Sequence, residues 1–280
     1  MCMQLGIRFH DTKALPLEER LAEVNRQGFS CVHVALSKVI KENSVAPEAL
    51  TPGYAMYLRR LFEAQKLDIA VLGCYLNLAN PNPDKLKEIV EKYKAHIRFA
   101  AHLGCGVVGT ETGAPNEEYK YEPACHSEEA LELFIKNVRP IVEYAEKMGV
   151  IFAIEPVWKH IVCNPVRARR VLDEINSPNL QIILDPVNLL DISNYQNQVA
   201  IVEEAIDVLG KDVAVVHIKD YVVKDGKLES VAAGCGCMDY SAIMKFIKKR
   251  KPYIHTTLEN TVPENAVQAK EHIWKLWEEA

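Results

Sequence analysis

Four segments in the second half of the chain share one pattern: Ala153-Ile154-Glu155-Pro156, Ile183-Leu184-Asp185-Pro186, Val215-Val216-His217-Ile218-Lys219-Asp220 and Thr257-Leu258-Glu259-Asn260. Each closes a short apolar run, and each run stops at a carboxylate or an imidazole. The runs cover residues 150–155, 180–185, 212–218 and 254–259. They are continuously apolar rather than alternating, which is the mark of parallel strands buried on both faces. Upstream, runs of the same kind occupy residues 4–9, 30–36, 68–75 and 106–111.

Amphipathic helices fill the intervals. The clearest is 127–148, where Leu131, Phe134, Ile135, Val138, Ile141, Val142 and Ala145 recur at helical spacing. Ser127 is placed as its N-cap, Glu128 and Glu129 lie in its first turn, and Gly149 ends it. Residues 84–103, 200–209, 239–249 and 263–278 read similarly, and Asn164-Pro165 opens another helix with proline at its first position. Eight strand–helix units in 280 residues, with no linker, repeat or low-complexity block, predict a single-domain (β/α)8 TIM barrel over residues 1–280. A doubly wound open sheet is the runner-up. It lacks its phosphate-binding glycines, because the first strand runs into Arg8-Phe9-His10-Asp11-Thr12 instead of G-x-G-x-x-G.

Composition excludes whole classes of function. A formal net charge of −5 gives no bulk attraction for nucleic acid or anionic lipid. The run Lys248-Lys249-Arg250-Lys251 reads as a solvated helix C-terminus, where cations meet the dipole. No apolar run approaches the roughly 20 residues of a membrane helix. The opening Met1-Cys2-Met3-Gln4-Leu5-Gly6 has neither a basic region nor a long apolar one, so no signal peptide and a cytoplasmic location are expected. The eight cysteines form no C-x-x-C pair. Cys31, Cys74 and Cys105 read as small hydrophobes, and Cys235-Gly236-Cys237 as a flexible loop.

In a barrel, reactive groups gather where the strands end. Any one of Glu155, Asp185, His217 and Glu259 could simply be a polar strand terminus. Four in succession are different, because neighbouring strands lie about 4.8 Å apart and their end residues can converge on one ion. Three carboxylates and an imidazole suit one divalent ion, Mn²⁺ first and Mg²⁺ or Co²⁺ next, better than a thiolate metal. Around this set, Glu111 ends the fourth strand, Asn77 and Asn80 follow the third, Arg8 and His10 end the first, and Trp158 and His160 follow Glu155. Arg8 and His10 are placed to meet a substrate phosphate or hydroxyl, Glu111 and Asn77 substrate hydroxyls, and Trp158 to wall the pocket. His33, His96, His102 and His255 read as structural.

On these residues the chain resembles the xylose-isomerase-like TIM-barrel superfamily, of the sugar phosphate isomerase/epimerase type. The resemblance lies in I-E-P at Glu155, L-D-P-V-N at Asp185, V-H-I-K-D at His217 and L-E-N at Glu259. It extends to Asp225-Gly226 and to the stretch from Gly234 through Asp239 and Tyr240. It implies that all four residues bind the metal, and that Glu155 and Glu259 also handle protons on opposite faces of one substrate carbon. One would remove a proton alpha to a carbonyl and the other return it, through a cis-enediolate held by the metal. Two positions depart from the ketose 3-epimerase pattern, Asn188 for histidine and Lys219 for arginine, and both fall in the expected substrate-binding shell.

The expected ligand is therefore a small-molecule sugar or sugar phosphate, with no nucleic acid or membrane partner. A homo-oligomer is implied by resemblance alone. A metal-dependent dehydratase of a polyol or keto-sugar is the nearest alternative, and a non-catalytic sugar-binding barrel is another. The three-zinc nuclease version of the fold is disfavoured by the acidic charge.

Overall fold

The computed structural model describes residues 3–280. Met1 and Cys2, part of the opening read above for a leader, lie outside the described residues. Strands β1 (Gln4–Arg8), β2 (Cys31–Val34), β3 (Asp68–Gly73), β4 (Val107–Glu111), β5 (Ile151–Glu155), β6 (Leu180–Leu184) and β7 (Val213–Ile218) each pair in parallel with the next. After an antiparallel hairpin, β8 (Asp220–Lys224) and β9 (Lys227–Val231), strand β10 (His255–Leu258) pairs with both β7 and β1 and closes the barrel. The expected (β/α)8 barrel is thus present, with the hairpin as an insertion between its last two strands. The hairpin turns at Asp225-Gly226, both at positive φ (49° and 70°), as a two-residue turn of this twist requires.

The helices are α1 (Leu17–Arg26), α2 (Leu36–Val39), α3 (Pro52–Ala64), α4 (Pro83–Leu103), α5 (Glu128–Met148), α6 (Pro165–Ile175), α7 (Gln198–Leu209), α8 (Ser241–Arg250) and α9 (Ala266–Glu279). The caps follow from side-chain chemistry. Ser127 accepts from the Ala130 amide, Asn164 from Arg167, and α5 ends at Gly149 with φ 65°. The strand ends fall one or two residues short of the apolar runs, and α9 starts three residues later than its pattern, after Pro263.

Two apolar layers hold the assembly. The main one lies between the strands and the helices and includes Tyr93, Phe99, Phe134, Phe152 and Ile141. A smaller one fills the barrel interior with Cys31, Ala70, Val71, Ala153, Ile183 and Val215. Small residues suit this narrow axis. At Gly109 a Cβ would meet Ile183 Cδ1 at 2.6 Å and Val71 Cγ1 at 2.7 Å. Cys31, Cys74, Cys105, Cys125 and Cys163 are buried free thiols.

Two local expectations change. The 234–238 loop is held, not loose: the buried Asp220 carboxylate accepts from the amides of Tyr221, Gly234, Gly236 and Met238. The basic run does end α8, but its cations bind carbonyls of neighbouring elements rather than only water. Lys248 Nζ donates to Trp277 O and Glu278 O, and Lys251 Nζ to Lys211 O and Val213 O. No helix of the described residues is long and apolar enough to cross a membrane.

Candidate metal and catalytic centre

Glu155 is the last residue of β5, Asp185 follows β6, His217 lies near the end of β7, and Glu259 follows β10. All four are buried at the same mouth of the barrel. His217 is their hub, with Nδ1 3.4 Å from Glu155 Oε1 and 3.3 Å from Glu259 Oε1. Ligand atoms of Glu155, Asp185 and His217 come within 4.8 Å of one another, and so do those of His33, His217 and Glu259. The expected four therefore fall into two triads that share His217.

Local chain geometry aims these groups. Asp185 Oδ1 accepts from the amides of Val187 and Asn188, capping the turn that Pro186 begins. That leaves Oδ2 free to face inward. Asn260, directly after Glu259, adopts φ 56°, a conformation asparagine tolerates better than most residues. At Gly73 a Cβ would lie 2.7 Å from His33 Nε2 and 2.6 Å from the Tyr75 ring, so the bare backbone there makes room for both.

The residues fit a divalent cation. Asp185 Oδ2, His217 Nε2 and His33 Nδ1 are buried with no hydrogen-bond partner, a costly state that a bound cation would relieve. The donors are oxygen and imidazole nitrogen, the chemistry of Mn²⁺, Mg²⁺ or Co²⁺ sites. His33 lies between Tyr75 and Glu259. The phenol of Tyr75, kept protonated by burial and by Glu155, lies within hydrogen-bond distance of His33 Nε2, at 2.9 Å. His33 Nδ1 faces Glu259 Oε1, 3.5 Å away.

Cations are built in beside the carboxylates. Lys219 Nζ lies 2.9 Å from Asp185 Oδ2, without hydrogen-bond alignment, and 3.5 Å from Glu259 Oε2. Arg8 donates to Asp11 at 2.9 Å and to Glu259 Oε2 at 3.1 Å. Burial alone would raise the Glu259 pKa, but His217, Lys219, His33 and Arg8 hold it well below the ordinary carboxylate range. Glu155 is pushed up to about 7 by burial and by Glu259. Glu111 is also raised to about 7, by burial and then by Glu155. Burial lowers His33 and His217, so both imidazoles are neutral at pH 7.

A cavity of about 240 Å³ opens above this centre, lined by Arg8, His10, His33, Tyr75, Glu111 and Glu155 among others. Arg8, His10 and Glu111 thus line the cavity beside the carboxylates. Glu111 takes a bond from Tyr119 Oη at 3.3 Å and lies 3.6 Å from His160 Nδ1.

Four of the expected substrate-shell positions are otherwise engaged. Asn77 is engaged with backbone: Oδ1 accepts from Ala79 and Ala114, and Nδ2 donates to Asn116 O. It holds loops together, with one Nδ2 hydrogen left without a partner. Asn188 donates to Glu155 Oε1 at 2.7 Å, so it orients that carboxylate. Lys219 lies among the ligand carboxylates and pairs with them. Trp158 walls a neighbouring cavity, not the one above the carboxylates.

His33 and Tyr75 went unrecognised as site residues in the sequence. The strand-end rule applied to the second strand points at His33, but an imidazole within Cys31-Val32-His33-Val34 carries no mark that separates it from a core histidine.

A family model described as "Xylose isomerase-like TIM barrel" matches residues 21–275. The chain belongs to the xylose isomerase-like TIM barrel family. Among relatives of this xylose isomerase-like barrel is a probable L-ribulose-5-phosphate 3-epimerase of Mycoplasma pneumoniae (strain ATCC 29342 / M129 / Subtype 1), 30% identical over 153 residues. That match covers 53% of this chain and 47% of the relative, so it spans about half of the curated protein's length. A solved D-tagatose 3-epimerase-like protein aligns with a TM-score of 0.75 at 22% identity, covering 99% of this chain and 97% of its own. The IOLI protein, solved with a bound zinc atom, aligns with a TM-score of 0.75 at 19% identity and 99% coverage of both chains. At these identities the two structures establish the shared fold.

Proposed function

We propose that this family member is a divalent-metal-dependent sugar isomerase or epimerase that moves a proton on a carbon alpha to a carbonyl. The observation that carries the reading is the convergence of Glu155, Asp185, His217 and Glu259 at one mouth, with a buried His217 Nε2 that has no hydrogen-bond partner. The names of the relatives, two of them sugar 3-epimerases or 3-epimerase-like, support the same substrate class. Glu155, Asp185, His217 and Glu259 would hold the ion. When bound, it supplies Lewis-acid polarisation of a carbonyl oxygen.

The chain's own groups divide the proton work. Glu259, held ionised, is the carboxylate ready to accept the alpha proton. Glu155, near pH 7 in its titration, is suited to deliver one from the other side. Asn188 keeps Glu155 Oε1 in place, while Arg8 and His33 do the same for Glu259. The cavity is smaller than the roughly 300–1,000 Å³ typical of drug-sized ligands, which supports a single sugar ring or its open chain.

A second reading is favoured by Glu111. A carboxyl group raised to about 7 in the same cavity is a fit acid for a departing β-hydroxyl, the step a dehydratase needs. Incubation of candidate sugars in D₂O with Mn²⁺ separates the two. Deuterium at the alpha carbon of an otherwise intact sugar supports epimerisation or isomerisation, whereas loss of water supports dehydration. Turnover without any alpha exchange would refute proton transfer to solvent-exchanging carboxylates.

A further inference from the structure

Next to the catalytic cavity lies a larger one, of about 520 Å³, that the reaction described above leaves unused. Trp158 and Tyr121 form one wall, with ring centres 5.3 Å apart at 34°. His126 props this wall, its ring 5.5 Å from Tyr121 and 5.3 Å from Trp158, with Nε2 2.7 Å from Trp158 O. The Tyr121 side chain is 46% exposed, so the aromatic surface is open to a ligand.

Asn188, the residue whose amide holds Glu155 Oε1 at 2.7 Å, also lines this second cavity. The Trp158 amide donates to Asn188 O at 2.7 Å, which ties the aromatic wall to Asn188. A residue lining the second cavity, Asn188, is thus hydrogen-bonded to one lining the first, Glu155. The β8–β9 hairpin also lines this cavity with Lys227 and Ser230, as does Lys159. An apolar face accompanied by a few hydrogen-bonding groups matches a pyranose ring, whose C–H face packs on an aromatic and whose hydroxyl edge takes donors and acceptors.

We propose that this cavity is a second-ring subsite: the enzyme acts on one ring of a glycoside, in the catalytic cavity, while the linked ring packs on Trp158 and Tyr121. The inference rests on the sugar isomerase or epimerase reading for what occupies the first cavity. The hairpin insertion then has a role, since Lys227, Leu228 and Ser230 supply part of the subsite lining.

The test is a binding titration of the full-length protein, with Mn²⁺ present, against α- and β-linked glucose and galactose disaccharides and their monosaccharides. At least one disaccharide is expected to bind about ten-fold tighter than its monosaccharide, the size of effect one well-packed aromatic contact supplies. That ratio should collapse toward one in both Trp158→Ala and Tyr121→Ala. Tyr121 is exposed, so its variant folds whatever becomes of Trp158. If no disaccharide is preferred, or the preference survives both substitutions, the subsite is overturned. It is equally overturned if phosphorylated monosaccharides are the preferred ligands and their preference depends on Lys159 and Lys227 rather than the aromatics.

Metal content of the same preparations, read by elemental mass spectrometry, tests the other layer. Disaccharide preference without stoichiometric metal leaves the subsite and removes the metal-dependent reaction. Metal and monosaccharide turnover without disaccharide preference does the reverse.

Discussion

The mouth of the barrel has two halves with different charge. The half formed by β5, β6, β7 and β10 brings Glu155, Asp185 and Glu259 around His217 and is anionic. The half formed by β1 to β4 brings Arg8, His10, His33 and Tyr75, with Glu111 at the boundary. Burying three carboxylates together is expensive unless something compensates. Lys219 and Arg8 supply that compensation, and they reach the acids across ion-pair distances of 2.9–3.5 Å. Arg8 reaches Glu259 from the β1–β4 half, whereas Lys219 follows β7 and compensates the acids from within their own half.

The sharpest way to break this division is to remove an acid. Glu155→Gln should lower turnover by roughly 10²–10⁴-fold, the range of a lost general acid–base group, in steady-state assays on any substrate found by the D₂O screen. Turnover within a few-fold of wild type would show that the anionic half is not the chemical half. Asp185→Asn comes next: metal affinity should fall by at least about 100-fold, since even indirect partners of a ligand cost 10–100-fold. Elemental analysis after dialysis reads this directly. Retained metal would move the ion away from the β5–β7 triad.

Glu259→Gln tests the compensation itself. It leaves Arg8 and Lys219 each short of one buried partner, so unfolding free energy in urea should drop by about 3 kcal/mol. An unchanged midpoint would mean the two cations relax elsewhere at no cost. His33→Gln probes the opposite half and should be milder, with metal affinity falling about ten-fold through misplacement of Glu259. A loss as large as that of Asp185→Asn would make His33 a ligand instead.

The smallest effect is on pH. Burial pushes His10 and His160 down to about 4, against an ordinary value of 6.5. Their folded pKa values lie below the unfolded ones, so the stability tied to their neutral rings is fully present above pH 6.5 and is lost as pH falls toward 4. Glu111 and Glu155, raised to about 7, act the other way and favour the fold as pH falls through 7. The difference in Tm between wild type and His160→Gln isolates the histidine contribution. Wild type should lose more Tm than the variant between pH 6.5 and 4.5, and equal losses would refute the buried neutral imidazole.

The two halves were also unequally legible. In β5, β6, β7 and β10 a charged or imidazole residue interrupts or ends an apolar run, and that contrast is visible without coordinates. Along β1 to β4 the contrast fades. His33 lies inside an apolar strand, Tyr75 is as ordinary in a core as in a site, and Asn77 looks like a sugar ligand although its polar atoms are spent on loop backbone. Trp158 was readable as a wall, but not as the wall of a separate cavity, because that depends on where the hairpin folds back.

By itself the sequence determined the barrel, since eight continuously apolar runs alternating with amphipathic helices have few other ways to bury their faces. It also determined which residues end the strands, because side-chain period and strand length are local properties. Only the tertiary structure decided how those ends divide the work. Lys219 between Asp185 and Glu259, Asn188 on Glu155, and His33 behind Glu259 are pairings across 33 to 226 positions of chain. Such contacts follow from the closure and stagger of the sheet, not from any local pattern.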